Sequence, residues 1–195
     1  FAISFRKIQY TTLYAVFQDM NLTIMQNQSY QKKYATIHYL SYNLSNSINL
    51  GLFESTIWQA RANEKNINYQ WYYLNPIVTT QTFATSLNGI DNTMLGANIR
   101  VRFLRHFLVY SQLVLDDWNF GKSKFNNGYL RNKFGYQAGV KYFDVLSVKN
   151  FYLQFEYNRV RPYTYSHYNP LQSYTQYNQP LAHPLGANFS ESSCI

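Results

Sequence analysis

The sequence predicts an all-β chain, an antiparallel up-and-down transmembrane β-barrel of which part of the wall is present, and three observations predict it. The first is alternation. In the run Leu95-Gly96-Ala97-Asn98-Ile99-Arg100-Val101-Arg102-Phe103 the odd positions are apolar and the even ones are glycine or polar. A period of two sends those sets to opposite faces of a strand. An apolar face backed by one carrying two full charges suits a strand that separates lipid from a watery lumen. The second is hydropathy. Hydrophobic residues make up 46% of the 195, but they are interleaved with polar ones. No stretch approaches the roughly 20 apolar residues of a membrane helix, a test that barrel strands evade because every second residue faces inward. The third is the order of connections, which run long, short, long, short, long, short, long, as in outer-membrane barrels with tight turns at one end and longer loops at the other.

Each element follows from its own residues. In roughly 1–18 there are one or two strands, with Phe1, Ile3 and Phe5 alternating with Ala2, Ser4 and Arg6. Residues 19–33 are rich in Asn, Gln, Ser and Lys and form a loop. Strands at 34–44 and 48–58 make a first hairpin, turning at Ser45-Asn46-Ser47, residue types that bond their own backbone or tolerate left-handed geometry. A long connection covers about 59–93. Its residue Pro76 is excluded from a central ladder position, and 77–87 fits a short helix or an irregular strand equally. The second hairpin is 94–103 with 107–116, turning at Leu104-Arg105-His106. After a loop at 117–131 the third pairs 132–143 with 150–161, and 162–195 is a tail rich in Tyr, Asn, Gln and Pro. About seven or eight strands are visible. Ten residues of strand rise about 33 Å, and at a tilt of about 40° they cover the apolar band of roughly 25 Å.

Composition narrows the partners. Seventeen Lys and Arg against nine Asp and Glu give a net charge of +8, which fits nucleic acid, an anionic membrane surface or an acidic polysaccharide. Nucleic acid is excluded as the expectation: the basic residues lie mostly singly, with Arg6-Lys7 and Lys32-Lys33 as adjacent pairs, and no recognition motif is present. The 20 Tyr and 14 Phe suit strands and the aromatic girdles of a membrane barrel, and the same rings suit sugar faces. The single Cys194 excludes an internal disulfide framework and a cysteine zinc site. The chain opens Phe-Ala-Ile-Ser-Phe without Met, so the expectation is one outer-membrane domain over 1–195, an internal piece of a longer precursor.

Catalytic chemistry finds little support. Asp116-Asp117, Glu54 and Glu156 lie in or at the ends of strands, and nothing sets two of them across a cleft at the about 5–10 Å that glycoside hydrolysis needs. They are expected instead as lumen partners for Arg100, Arg102, Lys133, Lys141, Arg159 and Arg161. The histidines His38, His106, His167 and His183 have no zinc-motif spacing. No Gly-x-Ser-x-Gly nucleophile elbow occurs, and the glycines form no phosphate loop. Neither catalysis nor a metal or cofactor is expected.

The most distinctive stretch runs from Glu156 through Asn158-Arg159-Val160-Arg161-Pro162-Tyr163-Thr164-Tyr165-Ser166 to His167. It mixes fixed charge, flat rings and hydroxyls where a strand enters a loop. Two readings stand side by side: a ligand contact, with Arg forks on carboxylates and Tyr rings on sugars, or a latch that pins the loop to the barrel rim. The stretch Asn178 to Asn188 holds Pro180 and Pro184 and is a shaped loop, stiffened by proline.

These residues, with Asn49-Leu50-Gly51-Leu52-Phe53-Glu54 and the Leu74-Asn75-Pro76 corner, resemble the Wzi-like capsule-assembly family in its Bacteroidetes form, whose relatives include gliding-motility proteins of the RemB type. The resemblance runs from about 34 to 190. It implies a large barrel in the bacterial outer membrane with a helical portion on the periplasmic side, which is not evident in this sequence, and a role in holding capsular polysaccharide at the cell surface. The expected partners are outer-membrane lipid and surface polysaccharide, held non-covalently. Motility or secretion proteins are the partners under a gliding or adhesion reading, and a porin-like channel is a further alternative. The candidate ligand contacts are Arg159, Arg161, Tyr163, Tyr165 and His167, with Trp71 and Tyr72 at the rim. The candidate lumen charges are Arg100, Arg102, Lys133, Lys141 and Glu156.

Overall fold

A computed structural model gives the fold for residues 1–20, 30–62, 65–66, 73, 91–116 and 133–195. Its centre is one sheet of nine antiparallel strands: β1 (Ala2–Phe5), β2 (Ile8–Asp19), β3 (Gln31–Asn43), β4 (Ile48–Gln59), β7 (Asp91–Phe103), β8 (Phe107–Asp116), β9 (Lys133–Phe143), β10 (Tyr152–Val160) and β13 (Phe189–Cys194). Their order in the sheet is their order in the chain. Two short ribbons lie apart from it, β5 (Arg61–Ala62) with β6 (Lys65–Asn66), and β11 (Thr175–Gln176) with β12 (Gln179–Pro180). All-β architecture and the up-and-down order are as the sequence predicts. The sheet is not closed: β1 and β13 each have one neighbour among the described residues.

The hairpins form where the alternation places them. In the second, Phe103 pairs with Phe107, and the turn holds Leu104 and Arg105 at φ 49° and 59°. Left-handed turn residues match the twist of the flanking strands. The first hairpin starts earlier than the sequence indicates, at Gln31, because Lys32 and Lys33 continue the ladder opposite Gln18 and Phe17. The third begins at Lys133, and its return strand starts later than expected, at Tyr152, after a single 3-10 turn at Val145–Ser147. The expected tail is corrected at its end. Phe189–Cys194 is a ninth strand on β10, with Val160 opposite Phe189 and Phe155 opposite Cys194. Its serines carry too weak an alternation to announce a strand, and the free edge of β10 supplies the pairing. The undecided stretch 77–87 lies outside the described residues.

Cross-strand partners share a face, so the registers sort every side chain. Arg100, Arg102, Lys133, Lys141 and Glu156 fall on one face with Asn98, Gln112, Gln137 and Asn158. Leu50, Leu52, Ile99, Val109, Leu113, Leu153 and Phe155 fall on the other. That apolar face is the bare one over much of the sheet: Ile99 is 41% exposed, Leu113 44% and Phe155 51%. A water-soluble sheet covers such a face. Here the covered face is the polar one, crossed by residues 161–181. Two of the expected charges are misassigned. Glu54 and Arg159 lie on the apolar face, because Glu54 pairs with Leu95 and Arg159 with Tyr136. Glu54 nonetheless is fully buried, beside His38 on the neighbouring strand. His38 also meets the Tyr10 hydroxyl at 2.5 Å through Nδ1. Nearby, Tyr73 stacks on Trp58 at 4.1 Å on that face.

The sheet is curled. Six steps separate β2 from β10, which laid flat would put them about 29 Å apart. Yet Phe17 of β2 and Val160 of β10 line one cavity of about 420 Å³. Glycines allow close packing within the concave face. A Cβ on Gly96 would overlap the Phe53 ring, and one on Gly139 the Tyr110 ring. Each aromatic lies over the glycine opposite it, which covers the exposed backbone and pins register.

Candidate functional site

After β10 the chain turns at Arg161 and crosses the polar face at the end of the long loops. It meets β9 and β8 first and β2 last, and we call residues 161–181 the strap. A lysine–aspartate pair receives it at each end. Lys133 and Asp116 sit opposite each other on β9 and β8, with Nζ 3.7 Å from the carboxylate. Lys133 Nζ also donates to the Ser166 carbonyl at 2.8 Å, and Asp116 accepts the Tyr165 backbone N–H at 2.8 Å. At the far end Lys33 lies 3.8 Å from Asp19 and donates to Ser173 O and Thr175 Oγ1, both at 2.9 Å. Charges this buried are tolerable only when paired and hydrogen-bonded, and the strap provides the remaining acceptors.

Between the two ends the strap is fastened to strand edges and backbone. The Tyr174 hydroxyl donates to Ser55 O at 2.5 Å and lies 3.1 Å from Asn92 O, while Asn92 Nδ2 donates to Gln172 O at 3.2 Å. Asn169 caps the 3-10 turn Pro170–Gln172 by accepting the Leu171 N–H, and its own amide donates to Gln59 at 2.6 Å. Tyr177 N donates to Gln18 O at 3.1 Å, and the Tyr177 hydroxyl bonds the Gln18 side chain. Tyr174 also packs with Ala35, Ile57, Met94 and Val114, the main buried apolar cluster.

The sequence-predicted ligand residues divide. Tyr165 and His167 belong to the strap's anchorage. The Tyr165 ring is held beneath the strap, and burial first, then the nearby Asp116 carboxylate, push its hydroxyl up to about 12. His167 donates its backbone N–H to Ser173 Oγ and accepts the Asn169 N–H on Nδ1. Arg161 sets its guanidinium 5.3 Å over the Phe134 ring, a cation–π contact. For these three the latch geometry is what the structure contains. Tyr163 is exposed, and Arg159 points from the apolar face at the same rim. Trp71 and Tyr72 lie outside the described residues. Tyr168, fully exposed at the crest of the strap, was missed. Nothing in an isolated Tyr signals that the residues beside it will be tied down and leave it outermost.

On the polar face towards the short turns lies a charged row. Tyr110 donates to Glu156, Asn158 Nδ2 donates to the other carboxylate oxygen at 2.9 Å, and Lys141 stands 5.9 Å over the Tyr110 ring. Among the described residues no three His, Cys, Asp or Glu side chains converge as metal ligands. His106 and His183 instead lie 3.8 Å from Asp144 and Glu191. No helix of the described residues is long and apolar enough to cross a membrane, which says nothing of strands. No family model, curated protein or solved structure matches this chain.

Proposed function

We propose that this chain forms part of the wall of a bacterial outer-membrane β-barrel and retains surface polysaccharide non-covalently at its long-loop rim. The observation that carries the proposal is the inverted sheet. Its apolar side is bare across β4, β7, β8 and β10, while its charged and amide side chains face a strap-covered concavity. Apolar area of this extent left in water would drive association; in a bilayer it is solvated. Nine strands leave the two edges running in the same direction, so they cannot pair antiparallel with each other. A closed antiparallel wall built on this sheet therefore takes in an odd number of further strands. The resemblance to capsule-assembly proteins supports the glycan role, as do the exposed rings of Tyr163 and Tyr168 on the strap. The strap lying across the polar face favours retention over a porin-like open channel. A gliding or adhesion role would use the same rim for protein partners.

The test is a binding measurement on reconstituted protein. Capsular polysaccharide is expected to be captured by proteoliposomes, with capture reduced about tenfold in the Tyr163→Ala, Tyr168→Ala double variant, as for the loss of two stacking contacts of about 0.7 kcal/mol each. Unchanged capsule retention in cells lacking the gene, together with no capture in vitro, would remove the glycan reading.

A further inference from the structure

The cavity under the strap has its own chemistry. Its volume of about 420 Å³ falls in the range of small-molecule sites. Its walls are Phe17, Ile37, Phe53 and Val114 from the sheet, roofed by Tyr174 and Leu181 from the strap. Its polar lining is a cross-strand row, Gln112 on β8 opposite Gln137 on β9, which is opposite Asn158 on β10, joined by Ser55 on β4 and by His183 beyond the strap. The cavity is therefore apolar on the strap side and amide-lined towards the short turns.

Two details sharpen this. The ionisable groups nearest the cavity are already engaged: His183, on its lining, lies 3.8 Å from Glu191, Glu156 accepts from Tyr110 and Asn158, and Lys133 is held by Asp116 and the strap carbonyl. An ionic ligand would enter without a counter-charge and lose its hydration unreplaced. The Gln112 side-chain amide, half-buried beside this space, makes no hydrogen bond to any described residue, although its neighbours in the row are used. It is a donor and acceptor left over for something else.

We infer that the cavity is a binding site for an uncharged amphiphile, with an apolar body between Phe53 and Tyr174 and a hydroxyl-bearing head on Gln112. An alkyl or aryl glycoside is the chemical class. The site is separate from the exposed rim and does not depend on polysaccharide retention there.

The probe is phenyl β-glucoside, which forms no micelles, titrated by calorimetry into the full chain held in bilayer nanodiscs. Saturable one-to-one binding is expected, with methyl β-glucoside and phenyl phosphate each weaker by about tenfold or more, the first lacking the apolar body and the second carrying charge. Gln112→Leu should weaken the glucoside about tenfold and leave strap amide protection from hydrogen exchange unchanged, since that amide fastens nothing. Ala182→Trp, which fills the cavity, should abolish binding. Binding indifferent to Gln112→Leu, equal affinity for phenyl phosphate, or no saturable binding would each overturn the site. None of these outcomes alters the polysaccharide capture that tests the rim.

Discussion

At the scale of single residues, the two lysine–aspartate pairs decide whether the strap is held. Lys133→Met takes the paired ammonium from the buried Asp116 carboxylate, which still accepts the Tyr165 N–H, a change that typically costs about 3–5 kcal/mol. Urea titration of the reconstituted protein should record that loss. Adding Asp116→Leu to the same chain should recover most of it, because an apolar pair of similar volume needs no charge compensation. Tyr165 gives a pH signature. Its hydroxyl titrates near 12 when folded and near 10 when unfolded, so the folded state binds its proton more tightly. That contribution is complete below about pH 10 and is lost as pH rises towards 12. Strap protection from hydrogen exchange should fall across that window, and Tyr165→Phe should move the fall to higher pH. Of these roles the sequence makes legible Asp116 and Lys133 as a charge pairing by type and place, since both flank the same loop. The partnership of Asp19 with Lys33 is not legible, because the polar composition of 19–33 reads as a loop and hides that both residues extend strands.

At the scale of elements, the strap is the part with the least local signal and the most tertiary support. Residues 161–181 have neither helical nor strand periodicity. Strap backbone groups are bonded by the side chains of Lys33 on β3, Asn92 on β7, Asp116 on β8 and Lys133 on β9. Tyr174→Phe removes a buried donor to Ser55 O and Asn92 O, a loss of about 0.5–1.5 kcal/mol. Amide exchange should accelerate over Tyr165 to Tyr177 while β8 amides stay protected. Uniform acceleration across the sheet would mean the strap is part of the sheet's own folding unit and not a separately held segment. The hairpins needed no such help. Alternation in 94–103 and 107–116, closed by a three-residue turn, fixes face and register together. The strand Phe189–Cys194 is the opposite case: its partner, the open edge of β10, is what makes it a strand.

At the scale of the whole molecule, the question is which solvent the apolar face meets. Leu113 is set within the bare band on β8. In a bilayer, Leu113→Arg should cost about 2–4 kcal/mol, and in an aqueous fold the same exposed position would tolerate it at nearly no cost. Unfolding from liposomes measures the difference, and a neutral result there would remove the membrane reading. The buried Glu54 and His38 on the same face mark where the bare band ends, since an ionisable pair facing acyl chains would be expensive.

The amino-acid sequence alone determined that this chain is made of antiparallel strands with one apolar and one polar side, because a period of two is a local property that needs no partner to be visible. It also put Arg100, Arg102, Lys133, Lys141 and Glu156 on one face, since parity along a strand settles that. Only the tertiary structure decided that the polar face is the covered one, that the last residues return as a ninth strand, and that Tyr165 and His167 fasten a strap. Those outcomes rest on contacts between residues well separated in the chain, such as Phe155 with Cys194, Asp116 with Tyr165 and Lys33 with Ser173, and no local pattern encodes them.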